Sequence, residues 1–432
     1  MTRQGVLAVV GVCLGCASAL ATPPDPDKVF ARAAQANDEQ AMLEAAERMR
    51  AEPSKDGVKT LVKYGALVQN VDVYIAARDA LAAATEGKPR DELLKACEKS
   101  KPFEARVLCV DALALCADDE ATEAIGKRLD DKELPVRIAA IRALARQAKA
   151  ACVPLLFEKL GKGDMSAVDT ENEELYGALH QLTGQAFESL EDWQKYWETV
   201  SADFDPKNRA AAETGGTRVR EGAGKLFETA VLSKQFVLVL DISNSMRVVE
   251  LPDGETSPDK NGNNQPYRDP GTGWPPDPDS RFMRARNEFV EFIKQLDPRV
   301  NFSIVVFGME RDTRTWKPQL QRATPKVKED AIEFVTSLRW SGATRTDVAL
   351  QQAFAVPDAD TIYLFSDGIP ERSNGNKTEP IPQDEVLEQA RTLNRARKLR
   401  LNVYGFSTVS PTTKDFLRQL AEQNDGEYRD IR

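Results

Sequence analysis

Two hydrophobic periods divide this chain, and the change between them limits what it can fold into. From residue 28 to 200, apolar residues recur at helical spacing in an Ala-, Leu-, Glu-, Lys- and Arg-rich background. From about residue 226 the pattern becomes short β-rich runs, FVLVLD, VNFSIVVFG, TIYLFSD and RLNVYGFS, separated by helical stretches such as RFMRARNEFVEFIKQL and TTKDFLRQLAEQN. Alternation of that kind predicts an α/β domain with a doubly wound, largely parallel sheet. With 432 residues the chain is expected to be multidomain. A helical unit covers 22–200, a Gly- and charge-rich linker 201–225, and the α/β domain 226–432.

The first residues read as a secretory signal over 1–21. Arg3 supplies the positive region, Gly5 to Leu14 the apolar region, and Ala19-Leu20-Ala21 a small-residue cleavage site. This predicts an exported protein, whether periplasmic, secreted or on the cell surface. An uncleaved membrane anchor and a lipoprotein anchored at Cys16 are the weaker alternatives, the latter because Cys13 stands where leucine is usual. No other segment is long and apolar enough to span a membrane, so no span is expected in the mature chain. Of six cysteines, two lie in the signal. Cys97, Cys109, Cys116 and Cys152 sit in helical segments, as buried thiols or as disulfides that an exported protein permits.

Composition removes several function classes. The net charge of −10, from 58 basic and 68 acidic residues, lacks the basic footprint that nucleic-acid binding needs. The single histidine, His180, excludes a His-cluster zinc site, and no G-x-S-x-G elbow accompanies it. It is read as a structural residue of a helix.

The helical unit is internally repetitive. Ala80-Leu81-Ala82, Ala112-Leu113-Ala114 and Ala143-Leu144-Ala145 recur at offsets of 32 and 31 residues, and Arg106 and Arg137 keep the 31-residue offset, as do Leu129 and Leu160. One such helix pair cannot bury its apolar face alone, whereas stacked pairs can. The segment LPVRIAAIRALA resembles the first helix of a HEAT-type repeat, which implies an α-solenoid; an irregular helical bundle is the alternative. Residues 28–70 fit the register poorly and are expected to cap the array. Trp193, Tyr196 and Trp197 are expected to form the aromatic face of its closing helix.

The chemistry concentrates at the ends of strands. Asp241, Ser243 and Ser245 follow FVLVL, and in a doubly wound sheet the carboxyl ends of the strands line the ligand crevice. Their alternation brings three hard oxygen donors to one place, and grouping a carboxylate with hydroxyls at a buried sheet end is costly without a cation. Mg²⁺ suits such a donor set, with Mn²⁺ or Ca²⁺ as alternates. Two further loops match: Gly342-Ala343-Thr344 before a helix, and Asp367-Gly368 after TIYLFS.

Taken together these loops resemble the von Willebrand factor A (vWA) domain with a complete metal-ion-dependent adhesion site. The resemblance implies a Rossmann-like fold, direct coordination by Ser243, Ser245 and Thr344, and action of Asp241 and Asp367 largely through bound water. A partner's carboxylate would complete the shell. Asn244 and Ala343 stand where the family often has Gly, which alters loop shape without removing a ligand. The insertion 247–280, rich in Pro, Gly, Asp and Asn, is expected beside the site as a specificity loop with Trp274 as an anchor; a merely tolerated insertion is the alternative. Asp259, Asn261 and Asn263 begin like a calcium loop, but position six is not Gly and position twelve is Pro270. The expectation is therefore a HEAT-like α-solenoid followed by a vWA domain, acting as an exported binding protein rather than an enzyme. The metal would engage an acidic group of a protein partner, and the solenoid's concave face would hold a second partner. A scaffold with a purely stabilising metal and a metal-assisted hydrolase are the alternatives.

Overall fold

The computed structural model describes residues 24–116, 118–206, 223–252, 255–258, 262–269, 271, 273–374 and 377–431. The signal-like segment 1–21, most of the linker, Asp259 and Asn261 lie outside the described residues. Up to Val200 the described chain is helical: α1 (Pro26–Ala36), α2 (Glu39–Ala51), α3 (Lys55–Tyr64), α4 (Val71–Ala82), α5 (Gly87–Lys99), α6 (Phe103–Leu113), α7 (Asp119–Gly126), α8 (Leu134–Gln147), α9 (Cys152–Lys162), α10 (Thr170–Thr183) and α11 (Leu190–Val200). Local chemistry sets many of the starts. The side chains of Asp38, Ser54, Asn70, Asp118, Asp169 and Ser189 each accept a backbone N–H of the first turn they precede.

Two layers result. The even-numbered helices α2, α4, α6, α8 and α10 pack each against the next, and α1, α3, α5, α7, α9 and α11 do the same beside them. Residues 28–70 join both layers. The two repeat arginines do the same work one unit apart. Arg106 Nη1 donates to the carbonyls of Ser100 and Lys101 at 2.7 and 3.1 Å, and Arg137 Nη1 to those of Asp131 and Lys132 at 2.9 and 3.2 Å. Arg106 also pairs with Asp131, and Arg137 with Glu171, each at 2.8 Å. Each guanidinium thus ties the turn before its helix to a carboxylate further along the chain, which explains the spacing in the sequence. Among the described residues Cys97, Cys109, Cys116 and Cys152 are buried free thiols. Burial pushes the Cys97 thiol up to about 12. Trp193 is buried against Phe157 and Phe187 on the closing helix, and His180 is exposed on α10.

The second unit is a sheet of seven strands. Five are parallel, in the order β2 (Asn301–Phe307), β1 (Gln235–Asp241), β3 (Thr361–Ser366), β4 (Arg400–Phe406) and β5 (Tyr428–Ile431). Two short antiparallel strands, Arg314–Thr315 and Gln321–Arg322, flank β2. Helices α12 (Arg281–Gln295) and α13 (Pro325–Thr336) cover one face, where Phe236, Leu238 and Leu240 point. Helices α14 (Thr346–Ala355), α15 (Gln383–Asn394) and α16 (Pro411–Glu422) cover the other, with Val237 and Val239. Burial on both faces is why the central strands read as continuous apolar runs. Among the described residues no helix is long and apolar enough to cross a membrane.

The helical unit docks on the amino-terminal edge of this sheet. Lys398 reaches Asp111 of α6 at 2.8 Å, and Arg400, the first residue of β4, reaches Glu174 of α10 at 2.7 Å. Arg142 of α8 grips Glu174 with two hydrogen bonds and also meets Asp425. Burial opposes ionisation of Glu174, but Arg142 and Arg400 outweigh it and hold the carboxyl down at about 2. The folded value lies below the ordinary 4.5, so the stabilisation is complete above pH 4.5 and is lost as pH falls toward 2. A shift of that size corresponds to about 3 kcal/mol. Glu174→Gln is expected to be less stable than wild type by that order at pH 7. The two proteins should converge as the pH is lowered toward 2, a comparison that denaturant titrations at a series of pH values will make.

Candidate functional site

Chain connectivity leaves β1 in the middle of the sheet. The route from β1 runs to β2 on one side, and the chain later returns to place β3 on the other. The loops after β1 and β3 therefore diverge and leave a crevice at their carboxyl ends. Asp241 is the last residue of β1, and Asp367 directly follows β3.

Asp241 is fully buried. Its Oδ1 accepts the Ser243 N–H at 2.8 Å and its Oδ2 the Ser366 hydroxyl at 2.6 Å. Ser243 Oγ lies 3.0 Å from Ser245 Oγ, and Ser245 donates to Asp367 Oδ1 at 2.7 Å. Of the extended and looped backbones that the sequence allows beyond the strand, the structure takes the looped one. Asn244–Arg247 form a 3₁₀ turn, and it is this turn that brings Ser245 back beside Ser243. Thr344 lies at the same place: a Cβ on Gly368 would meet its Oγ1 at 3.0 Å and Ser245 Oγ at 3.5 Å. All five residues singled out in the sequence thus gather around one point.

Backbone hydrogen bonds lock the three loops together. Asn244 N–H donates to the Gly342 carbonyl at 3.0 Å, Ser341 N–H to Ile242 at 2.6 Å, and Glu371 N–H to Thr344 at 2.9 Å. Gly342 has φ +55°, and a Cβ there would collide with Met309, so this turn requires glycine. Burial first, and then the neighbouring charge of Asp367, push the Asp241 carboxyl well above its ordinary value.

Arg281, the first residue of α12, was not anticipated. Its side chain is 5% exposed, and Nη1 donates to Asp367 Oδ2 at 2.6 Å. Nη2 donates to the Thr408 hydroxyl, Nε lies 3.6 Å from Glu250 Oε1, and the guanidinium rests over the rings of Tyr267 and Phe406. Glu250 also pairs with Arg284 at 2.8 Å and accepts from Thr408 at 2.7 Å. Glu250 and Tyr267 belong to the insertion, so the insertion braces the residue that holds Asp367. A signal existed in the sequence. Two arginines in the first turn of a helix oppose its dipole, and such cations need carboxylate partners elsewhere.

The described part of the insertion is built on short antiparallel ladders, Val249–Glu250 with Tyr267–Arg268 and Ser257–Pro258 with Asn264–Gln265. Trp274 is 45% exposed and packs on Trp340, with Arg339 over its ring. The insertion forms one wall of an open cleft of about 1120 Å³. Ser245, Asp367 and Arg281 lie on its floor, and Thr408 to Pro411 form the opposite wall.

Comparison with known proteins bears on the fold of the second unit. The profile of the von Willebrand factor type A domain matches residues 280–430, a span that begins after the insertion and so does not include Asp241, Ser243 and Ser245. The chain is 27% identical over 128 residues to von Willebrand factor A domain-containing protein 3A of Homo sapiens, and 24% identical over 150 residues to protein 3B of the same organism. The aligned stretches make up 30% and 34% of this chain and 10% of each of those proteins. A solved von Willebrand factor type A protein from Catenulispora acidiphila is 20% identical, with a TM-score of 0.32 over 47% of this chain and 40% of its own, a likeness too slight to build on. Family profile and curated relatives together support a von Willebrand factor type A domain over residues 280–430.

Proposed function

We propose that this chain is an exported binding protein. A HEAT-like solenoid would carry a vWA domain whose metal-ion-dependent adhesion site engages an acidic group on a protein partner. The observation that carries the reading is the convergence of Asp241, Ser243, Ser245, Thr344 and Asp367, of which Ser245 and Asp367 line the floor of an open cleft.

The donor set fits a hard divalent cation. All its donors are oxygens, and the 3.0 Å between Ser243 Oγ and Ser245 Oγ matches adjacent corners of an octahedron with bonds of about 2.1 Å. Among the described residues no cation pairs with the buried Asp241 carboxylate, which is served by Ser243 and Ser366 instead. Ser243, Ser245 and Thr344 would hold Mg²⁺, or Mn²⁺ or Ca²⁺ in its place, while Asp241 and Asp367 supply negative charge around it. A bound divalent ion provides the attraction that lets an acidic protein engage an acidic ligand. Both carboxylates are already engaged, Asp241 by Ser243 and Ser366 and Asp367 by Ser245 and Arg281, which favours binding over a hydrolase that needs a free base.

The solenoid reading rests on the two helical layers and on the equivalent roles of Arg106 and Arg137. Docking at the amino-terminal edge leaves the opposite, metal-site edge open to a partner. A stabilising scaffold remains the second reading, favoured by Arg281, which already gives Asp367 a counter-charge.

Thermal unfolding of the full chain in EDTA and in millimolar Mg²⁺ tests the metal site. At about 100 times the dissociation constant a ligand adds about 2.7 kcal/mol. For a domain of about 200 residues this is an upward shift of about 5–10 °C. Asp241→Asn should be at least as stable as wild type in EDTA, because it removes a buried repulsive charge, and should show no shift with Mg²⁺. Wild type and Asp241→Asn shifting equally would refute the site. Arg281→Met strands the buried Asp367 without a counter-charge and leaves Glu250 only Arg284, and is expected to cost about 3–5 kcal/mol in EDTA by denaturant titration.

A further inference from the structure

Apart from the cleft, the helical unit carries an apolar groove of its own. Between α3 and α5, and under the turn into α6, runs a groove of about 490 Å³ with an apolar floor that includes Val62, Ala66, Ala96 and Ala105. Leu67, at its margin, is 53% exposed and extends the apolar floor toward solvent.

The rim is basic in a chain of net charge −10. Lys59 and Lys63 stand four residues apart on α3, and Lys95 and Lys99 four apart on α5, with Lys101 at the end. All five are exposed. Asp56 pairs with Lys59, while Lys63 lies over the Tyr64 ring. The one acidic residue of the lining, Glu92, is drawn toward Lys55 at 3.8 Å. Among the described residues no carboxylate pairs with Lys63, Lys95, Lys99 or Lys101.

We infer that this groove receives an amphipathic helix of a protein partner, its apolar stripe on the floor and carboxylates along both flanks. The lysine spacing is the spacing of one face of a helix, about 6 Å per step, so glutamates at i and i+4 on each flank of a partner helix would meet both rows. A concave floor favours a helix over an anionic membrane, which would meet the lysine tips and leave the floor empty. The inference is independent of the metal site, and its test runs in EDTA.

The probe is a fluorescent helical peptide of about 16 residues, long enough to form in the groove, with a leucine stripe flanked by glutamates. It is titrated with the full chain and read by fluorescence anisotropy. Expected is saturable binding that weakens with salt and weakens at least about tenfold in Lys95→Glu/Lys99→Glu. These side chains are exposed, so the variant should keep the wild-type melting curve. The same variant should gain affinity for a peptide whose glutamates facing α5 are replaced by lysines. Equal binding of a scrambled peptide of the same composition would overturn the inference, as would no binding at all. Binding to phosphatidylglycerol vesicles without binding to the peptide would overturn it in favour of a membrane.

Discussion

Two carboxylates, Asp241 and Asp367, end neighbouring strands in the interior of the α/β domain, and much of the local architecture answers to their charge. Among the described residues Asp241 is served by Ser243 and Ser366 and by no cation, and its charged form is disfavoured by burial and by its neighbour. Asp367 is served by a buried guanidinium. The asymmetry matters. One carboxylate has a guanidinium beside it and the other has none among the described residues, while two serines and a threonine gather around the pair.

The insertion takes its place in this arrangement. Glu250 and Tyr267 hold Arg281 from one side, and Phe406 and Thr408 hold it from the other. A segment too polar to build a core of its own thereby acts on the floor of the cleft it borders. At the far end of the sheet the same kind of chemistry joins the two units, since Glu174 and Asp111 take the basic residues that begin or precede β4. Strands of six or seven residues separate the two ends by about 20 Å. The helical unit is therefore fixed to the domain without covering the cleft.

Much of this was legible in the sequence because it is written locally. The change of hydrophobic period, the strands buried on both faces, and the three loops carrying Asp241, Ser243, Ser245, Thr344 and Asp367 all follow from short-range pattern and strand order. The repeat arginines were visible as spacing, and the structure supplies their purpose in Ser100, Lys101, Asp131 and Lys132. The pairing of Arg281 with Asp367 and Glu250 was missed because its members are 86 and 31 residues apart, and only the two misplaced arginines at the start of α12 hinted at it. The contacts of Arg400 with Glu174 and of Lys398 with Asp111 join residues more than 200 positions apart, and no local pattern carries such information. The alternation of Asp241, Ser243 and Ser245 allows an extended or a looped backbone, and the choice of a 3₁₀ turn at Asn244–Arg247 depends on the loops packed against it.

The central claim is that the oxygens around Asp241 form a cation site. Crystals of the full chain grown in Mn²⁺, with diffraction recorded at a wavelength where manganese scatters anomalously, test it most directly. The account predicts a single strong anomalous peak at bonding distance from Ser243, Ser245 and Thr344, with Arg281 still paired to Asp367. A map with no peak among these residues, or with manganese bound only elsewhere, would contradict it.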